Sequence, residues 1–396
     1  MAIGAQTSRL AAQVLLLAWL GPLGSGRTPG RIRRELFPIR DGRPHGRRAF
    51  ETGIAPDAPG PSRLEAYLYH PPGRRLGTYL VAPGLHFDGP DDPRLDRFCR
   101  VLARAGFLVV APFLPAHLDL LVSPSASDDL ELTARALAER FPDHGPPTLF
   151  SISFGSRPAF EVAARLGDAI DGVVCFGGYA DFEAALRFCL DGVMRSAEGE
   201  IRLANDPLNP PALFLNLVRH LDDAPSDPTA LEAAWRRMTI RTWGRMELKA
   251  PGRLEPIANE IAREVPPAQR KLFLVGCGLG PGAAALLEQG LEKARESLRF
   301  ADPAPALARL RCPVVVCHGR DDDVIPWGEA DKLAALLRGR VPLRVFVTGL
   351  YGHTGAAHLG PAAFVREAGN LLGIARTLAA GGALRGTLGV ENSTGF

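Results

Sequence analysis

The sequence predicts an α/β protein, a mostly parallel sheet covered by helices on both faces with a helical insertion near the middle of the chain. Three observations carry that prediction. Strand-length runs such as 107–112, 149–152, 173–176 and 314–317 are almost uniformly apolar, as strands buried on both faces are. Amphipathic helical stretches alternate with them, the rhythm of a parallel sheet built from crossover units. The rhythm then stops between about 180 and 308 and resumes at Pro313-Val314-Val315-Val316-Cys317.

Taken in order, the chain begins with Arg9 ahead of an apolar run from Leu10 to Leu20 that breaks at Gly21-Pro22. A spanning helix needs about 20 apolar residues, and a signal-peptide core is shorter. No A-x-A cleavage pattern follows, and the arginine-rich stretch from Arg27 to Arg48 favours retention in the cytoplasm. Three readings of residues 1–30 stay open: a signal or anchor, a peripheral membrane helix making contact through residues 10–20, or a helix packed on the protein. The expected location is cytoplasmic, with membrane association or secretion open.

Residues 31–63, with Pro38, Pro44, Pro56, Pro59 and Pro61, read as an extended lead-in. Alternation over Leu64–Tyr69 signals a strand, and Gly77–Ala82 a second one running into Pro83-Gly84-Leu85-His86. A helix follows over about 93–105, then the strand Phe107–Pro112, then a helix capped by Ser127-Asp128. Leu149–Ser153 is the next strand, with a helix starting directly behind it, and Gly172–Phe176 the next. The insertion, 180–308, carries helical stripes, proline breaks, Trp235, Trp243, Met238 and Met246. The sheet resumes with 313–319 and 343–347 and closes with a helix over roughly 360–379. The expected units are therefore a core of 31–179 and 309–380, the cap-like insertion 180–308, and a frayed tail, 381–396, rich in Gly, Thr and Ser.

Composition bounds the function. The 396 residues are 46% hydrophobic and 22% charged, as in ordinary folded proteins, and a net charge of +3 gives no reason to expect a nucleic-acid partner. The six cysteines are far apart and lack a C-x-x-C pair, which fits buried thiols rather than a disulfide framework or a zinc site. No ligand cluster supports a metal at Asp321-Asp322-Asp323. The string Gly276-Cys277-Gly278-Leu279-Gly280-Pro281-Gly282 after Lys271–Val275 superficially resembles a nucleotide-binding loop but departs from G-x-G-x-x-G. It reads as a turn in the insertion, close to the catalytic mouth, and no cofactor is expected.

The chemistry centres on Ser151-Ile152-Ser153-Phe154-Gly155, where a strand meets a helix at small residues. Sharp turns of this form lift a serine hydroxyl above the sheet edge. Serine is a poor nucleophile unless a neutral imidazole takes its proton and a carboxylate orients that imidazole. Both residue types follow predicted strands: Asp322 in His318-Gly319-Arg320-Asp321-Asp322-Asp323-Val324-Ile325-Pro326, and His353 in Gly349-Leu350-Tyr351-Gly352-His353. The carboxyl ends of parallel strands form the edge where ligands bind.

The order Ser, Asp, His and the H-G-x-x-D-x-x-I-P string resemble the α/β-hydrolase superfamily over about residues 64–380, with the insertion where that family commonly carries a cap. The resemblance implies Ser153 as nucleophile, Asp322 as the orienting carboxylate and His353 as general base and acid. It implies an oxyanion hole from the N–H groups of Phe154 and Leu85, with His86 next in line. Two positions depart from the family pattern: Ser151 stands for the first glycine of G-x-S-x-G, and Pro83 for the histidine of His-Gly-x. The implied activity is hydrolysis of a small-molecule ester or related acyl bond through an acyl-enzyme. The reading from another class is a catalytically silent scaffold used for binding.

Overall fold

A computed structural model describes residues 2–21, 27–47, 49, 60–196, 199–349 and 361–391. Its centre is an eight-stranded sheet made of β1 (Arg33–Arg40), β2 (Leu64–His70), β3 (Gly77–Ala82), β4 (Phe107–Pro112), β5 (Thr148–Ile152), β6 (Gly172–Phe176), β9 (Val314–Gly319) and β10 (Leu343–Thr348). The spatial order is β1-β2-β4-β3-β5-β6-β9-β10. Strand β2 is antiparallel to both β1 and β4, and every other pairing is parallel. Residues of β3, β4 and β9 are buried on both sides apart from Gly77, which is why those runs read as apolar without alternation.

One sheet face is covered by Ser125–Arg140, Ser156–Leu166 and Gly328–Leu337, which bring Leu130, Phe160 and Leu333 onto Leu80, Leu149 and Val314. The other is covered by α1 (Ala2–Leu20), α2 (Pro93–Arg104), α3 (Pro361–Ala379) and α4 (Leu384–Glu391). Asp92 starts α2 by accepting from the N–H groups of Arg94 and Leu95, the capping that its position before Pro93 promises. A third cluster, around Trp235, Phe214 and Phe273, is formed mostly by the segment between β6 and β9, with Phe87, Leu120, Val324 and Ile325 packed into it from the core.

Several expectations are corrected. The lead-in contains β1, an edge strand, and Pro38 is tolerated there because an edge residue has no neighbour to donate to on its open side. The helix expected to begin at Ser127-Asp128 begins at Ser125, directly after Pro124. The segment 180–308 is mostly helical but includes a small antiparallel hairpin, β7 (Val193–Ser196) with β8 (Gly199–Arg202). Lys271–Val275, strand-like in sequence, lies in the helix Arg270–Gly276 and buries Phe273 on one side; a five-residue apolar run does not separate the two states.

The tail expected to fray instead forms α4. Leu384 and Leu388 are buried one turn apart, and the Asp171 carboxylate accepts from the N–H of Leu384, 2.8 Å, and of Arg385. A cap supplied from 213 residues away leaves no local signature. Residues 392–396 lie outside the described part.

Helix α1 packs by one face on the sheet and on α2 and α3, burying Ala12 and Leu16. Arg9 donates to the carbonyls of Ala379, Gly381 and Leu76. No helix among the described residues is long and apolar enough to cross a membrane. All six cysteines are buried free thiols.

Candidate active site

Strand β5 delivers Ser153 to the carboxyl edge of the sheet, and the helix Ser156–Leu166 leaves directly behind it. At Ser153 the chain takes φ +52°, a left-handed conformation that costs a non-glycine residue about 1–3 kcal/mol and persists only where its surroundings enforce it. The enforcement comes from the neighbouring loop. A Cβ on Gly155 would lie 2.4 Å from the Ala82 carbonyl oxygen and 2.5 Å from that of Pro83, and one on Gly84 would lie tightly, 3.2 Å, against the Ile152 carbonyl oxygen. Elbow and loop therefore fit together because Gly155 has no side chain, and Gly84 leaves the space tight but unobstructed.

Ser151, where the family pattern has glycine, is wholly buried in β5, paired with Ala82 on one side and Cys175 on the other. The close quarters lie one strand further on. A Cβ on Gly178 would meet Cys175 Sγ at 2.3 Å and Ser156 Cβ at 2.7 Å, so the room for these side chains comes from a bare backbone after β6.

Pro83 stands where the pattern has histidine, and another histidine holds its carbonyl. His117, in the turn Pro115–Leu118 after β4, places Nδ1 3.1 Å from Pro83 O. Burial pushes its pKa down to about 4, against modest support from that carbonyl. The ring is neutral near pH 7, and Nδ1–H donates to Pro83 O. Position alone flags His117 in the sequence only as one of nine histidines; its contact with the loop needs the tertiary fold. His86, further along the same loop, is also pushed down to about 4 by burial, and it stacks on Phe87 at 4.4 Å.

The loop after β9 separates the three adjacent carboxylates. Asp321 is exposed, whereas Asp322 is buried and its Oδ1 accepts from the N–H groups of Val324, 2.9 Å, and Ile325, 2.8 Å. Asp323 is 2.5 Å from Lys249 Nζ, which also reaches Asp206 at 2.8 Å. Burial works against the Lys249 charge, but its hydrogen bonds to Asp206 and Asp323 outweigh that and hold the pKa above the ordinary lysine value. His318 is fully buried, with Nε2 2.9 Å from Ile325 O and 3.6 Å from Asp322 Oδ2. It fastens the turn that carries Asp322.

A cavity of about 270 Å³ opens over Ser153. Leu85 and Phe154 line it beside the serine, Val324 brings the acid loop to its wall, and Phe182, Leu213 and Trp243 bring the segment between β6 and β9. Of the large residues singled out in that segment, Trp243 lines the cavity, Trp235 and Met238 are buried in the core, and Met246 is exposed. The glycine string 276–282 lies not at this cavity but at a different one with Cys277, Gly278 and Leu279 in its wall. Cys189, the thiol on the Ser153 cavity, is pushed up to about 12 by burial and remains a thiol at neutral pH, a poor rival nucleophile.

His353, with residues 350–360 around it, lies outside the described residues, as does His358. Thus Ser153, Leu85 and Phe154 are brought to one cavity, Asp322 sits in the loop whose Val324 reaches that cavity, and the fifth sequence-derived residue is not placed. No group of three or more metal-ligating side chains occurs among the described residues.

No family model and no curated protein matches the chain. Solved structures do. The chain is similar to the uncomplexed acylaminoacyl peptidase of Pyrococcus horikoshii, with 9% identity, 84% of this chain and 38% of that one covered, and a TM-score of 0.41. It is similar to a dienelactone hydrolase from Anabaena variabilis, with 12% identity, 88% and 95% covered, and a TM-score of 0.40. A third similarity is to the esterase domain of a Rhodothermus marinus protein, with 13% identity, 88% and 97% covered, and a TM-score of 0.40. The chain spans little more than a third of the peptidase's length. Its own architecture, with the strand order β1-β2-β4-β3-β5-β6-β9-β10, a lone antiparallel β2, and a left-handed serine between β5 and the following helix, is that of the α/β-hydrolase fold.

Proposed function

We propose that the protein is a serine hydrolase that cleaves a carboxylic ester or related acyl bond through an acyl-enzyme. The observation that carries this reading is Ser153, held at φ +52° on the wall of a largely apolar cavity. A strained serine aimed into a cavity has no evident role in folding and the right placement for attack. In the proposed reaction Ser153 Oγ attacks the substrate carbonyl while the imidazole of His353 takes its proton. The tetrahedral oxyanion is met by the N–H groups of Phe154 and Leu85, aligned before the reaction begins. Collapse expels the alcohol with the proton returned by His353, and a water activated by the same imidazole releases the acid and restores Ser153. Asp322 fixes the imidazole tautomer and supports its transient positive charge.

Support for the two donors comes from the contacts already described: Gly84 and Gly155 hold the loop against the elbow, and His117 ties down the carbonyl of Pro83. The cavity volume suits a small acyl or alcohol group rather than a polymer chain. The test is a panel of p-nitrophenyl esters of increasing acyl length. Wild type is expected to hydrolyse the shorter members, and Ser153→Ala to lose at least about a thousandfold in kcat/KM. Equal rates for both proteins, or no turnover of any ester by folded wild type, would leave the silent-scaffold reading in its place.

A further inference from the structure

Helix α1 is apolar nearly all round: between Leu10 and Leu20 it has no charged residue and one polar side chain, Gln13. Helices of that composition are ordinarily covered on every side. Here, among the described residues, only the inner face is covered. Thr7, Leu10, Ala11, Val14 and Ala18 recur at helical spacing on the outer face and are exposed, Leu10 at 62% and Val14 at 58%. These two are the most exposed of the large apolar side chains among the described residues. Leu372 on α3, the helix that packs beside α1, is half exposed as well.

Two exposed arginines, Arg27 and Arg31, follow α1 directly. Arg33 and Arg34 beyond them are exposed as well but are ion-paired, with Glu35 at 2.9 Å and Asp96 at 2.8 Å. Arg97 of α2 brings this stretch to the helix, since its guanidinium donates to the carbonyls of both Trp19 and Arg27 at 2.6 Å. An uncharged apolar face bordered by arginines complements an anionic lipid surface, where apolar side chains enter the headgroup boundary and cations meet the phosphates.

We propose that the outer face of α1 docks on an anionic membrane surface, with Leu10 and Val14 inserted at the interface and Arg27 and Arg31 against the headgroups. The helix lies on the membrane and does not cross it. This inference is independent of the hydrolase reading, since it uses none of the residues at the Ser153 cavity.

Flotation of the full chain with vesicles of phosphatidylcholine alone, or of phosphatidylcholine with phosphatidylglycerol, tests it. Wild type is expected to float with the anionic vesicles and to be released by added salt. The double variant Leu10→Asp, Val14→Asp is expected to bind about tenfold more weakly or worse. Arg27→Glu with Arg31→Glu, which leaves the helix untouched, is expected to remove the preference for anionic lipid, at about fivefold per arginine. Circular dichroism should show both variants as folded as wild type, and hydrolysis of a soluble ester should be unchanged. No flotation of wild type, flotation indifferent to lipid charge, or undiminished flotation of Leu10→Asp, Val14→Asp would overturn the proposal. So would a wild-type dimer in lipid-free buffer that the same double variant dissociates, because a second copy of the chain would then cover the face.

Discussion

The elbow at Ser153 and the loop at Asp322 stand on the same edge of the sheet and are built by opposite means. The elbow is held by exclusion: φ +52° at Ser153 is maintained because Gly155 and Gly84 let backbone press on backbone. The acid loop is held by attachment, with two N–H groups on Asp322 Oδ1, His318 on Ile325 O, and Lys249 on Asp323. The difference teaches where each half is fragile. Adding an atom should damage the elbow, whereas changing a charge should damage the acid loop.

The largest effect is expected at the acid loop. Asp322→Asn keeps an oxygen able to accept from Val324 and Ile325, so the fold should survive, while ester hydrolysis falls about a thousandfold or more. Asp321→Asn, at an exposed side chain, should leave both rate and melting temperature unchanged. If the two variants lose equal activity, the separation of the adjacent carboxylates is wrong.

At the elbow, Gly155→Ala places a methyl group against the carbonyls of Ala82 and Pro83. Overpacking of this kind costs about 1–3 kcal/mol, so chemical denaturation should show a destabilised protein, and activity should fall because the loop moves off Ser153. An unaltered denaturation midpoint would show that the elbow is not confined in this way.

His117→Gln sharpens the comparison, because it touches the loop after β3 that presses on the elbow from the side away from the acid loop. Removing the hold on Pro83 O should lower kcat by about tenfold with little change in KM, since the oxyanion donors act on the transition state. Partial rescue by Asn and none by Leu would mark the hydrogen bond rather than the volume.

The least direct effect on the comparison is a pH dependence of stability. His117 has its pKa lowered to about 4 in the folded chain, against an ordinary value near 6.5. Between these values the unfolded chain binds the proton and the folded chain does not, so stability falls as pH drops from about 6.5 to about 4. The full loss for this group is on the order of 3 kcal/mol, and the His117→Gln variant should show a correspondingly flatter acid limb in denaturation.

Much of this was legible in sequence where the cause is local. Buried strands announce themselves by apolar runs, as at Phe107–Pro112 and Val314–Val316, and the small residues around Ser153 mark a sharp turn. The fold class follows from such signals, whereas Leu85 and Phe154, which line the same cavity as Ser153, were singled out through the family resemblance. What was not legible depends on distant partners. The cap of α4 comes from Asp171, the hold on Pro83 comes from His117, and the division of α1 into a covered and an exposed face depends on its packing against α2 and α3. The glycine string 276–282 failed in the other direction. Its residues have the composition of a phosphate loop but follow a helix rather than a strand, so the geometry that such a loop needs is absent.

The central claim is that Ser153 is a reactive nucleophile, and a fluorophosphonate probe tests it most directly. Incubation of the full chain with the probe, digestion and mass spectrometry should locate one adduct on the peptide carrying Ser153. It should be absent from Ser153→Ala and should form much more slowly in Asp322→Asn. An adduct that persists in Ser153→Ala, or folded wild type that takes up no probe, would contradict the account.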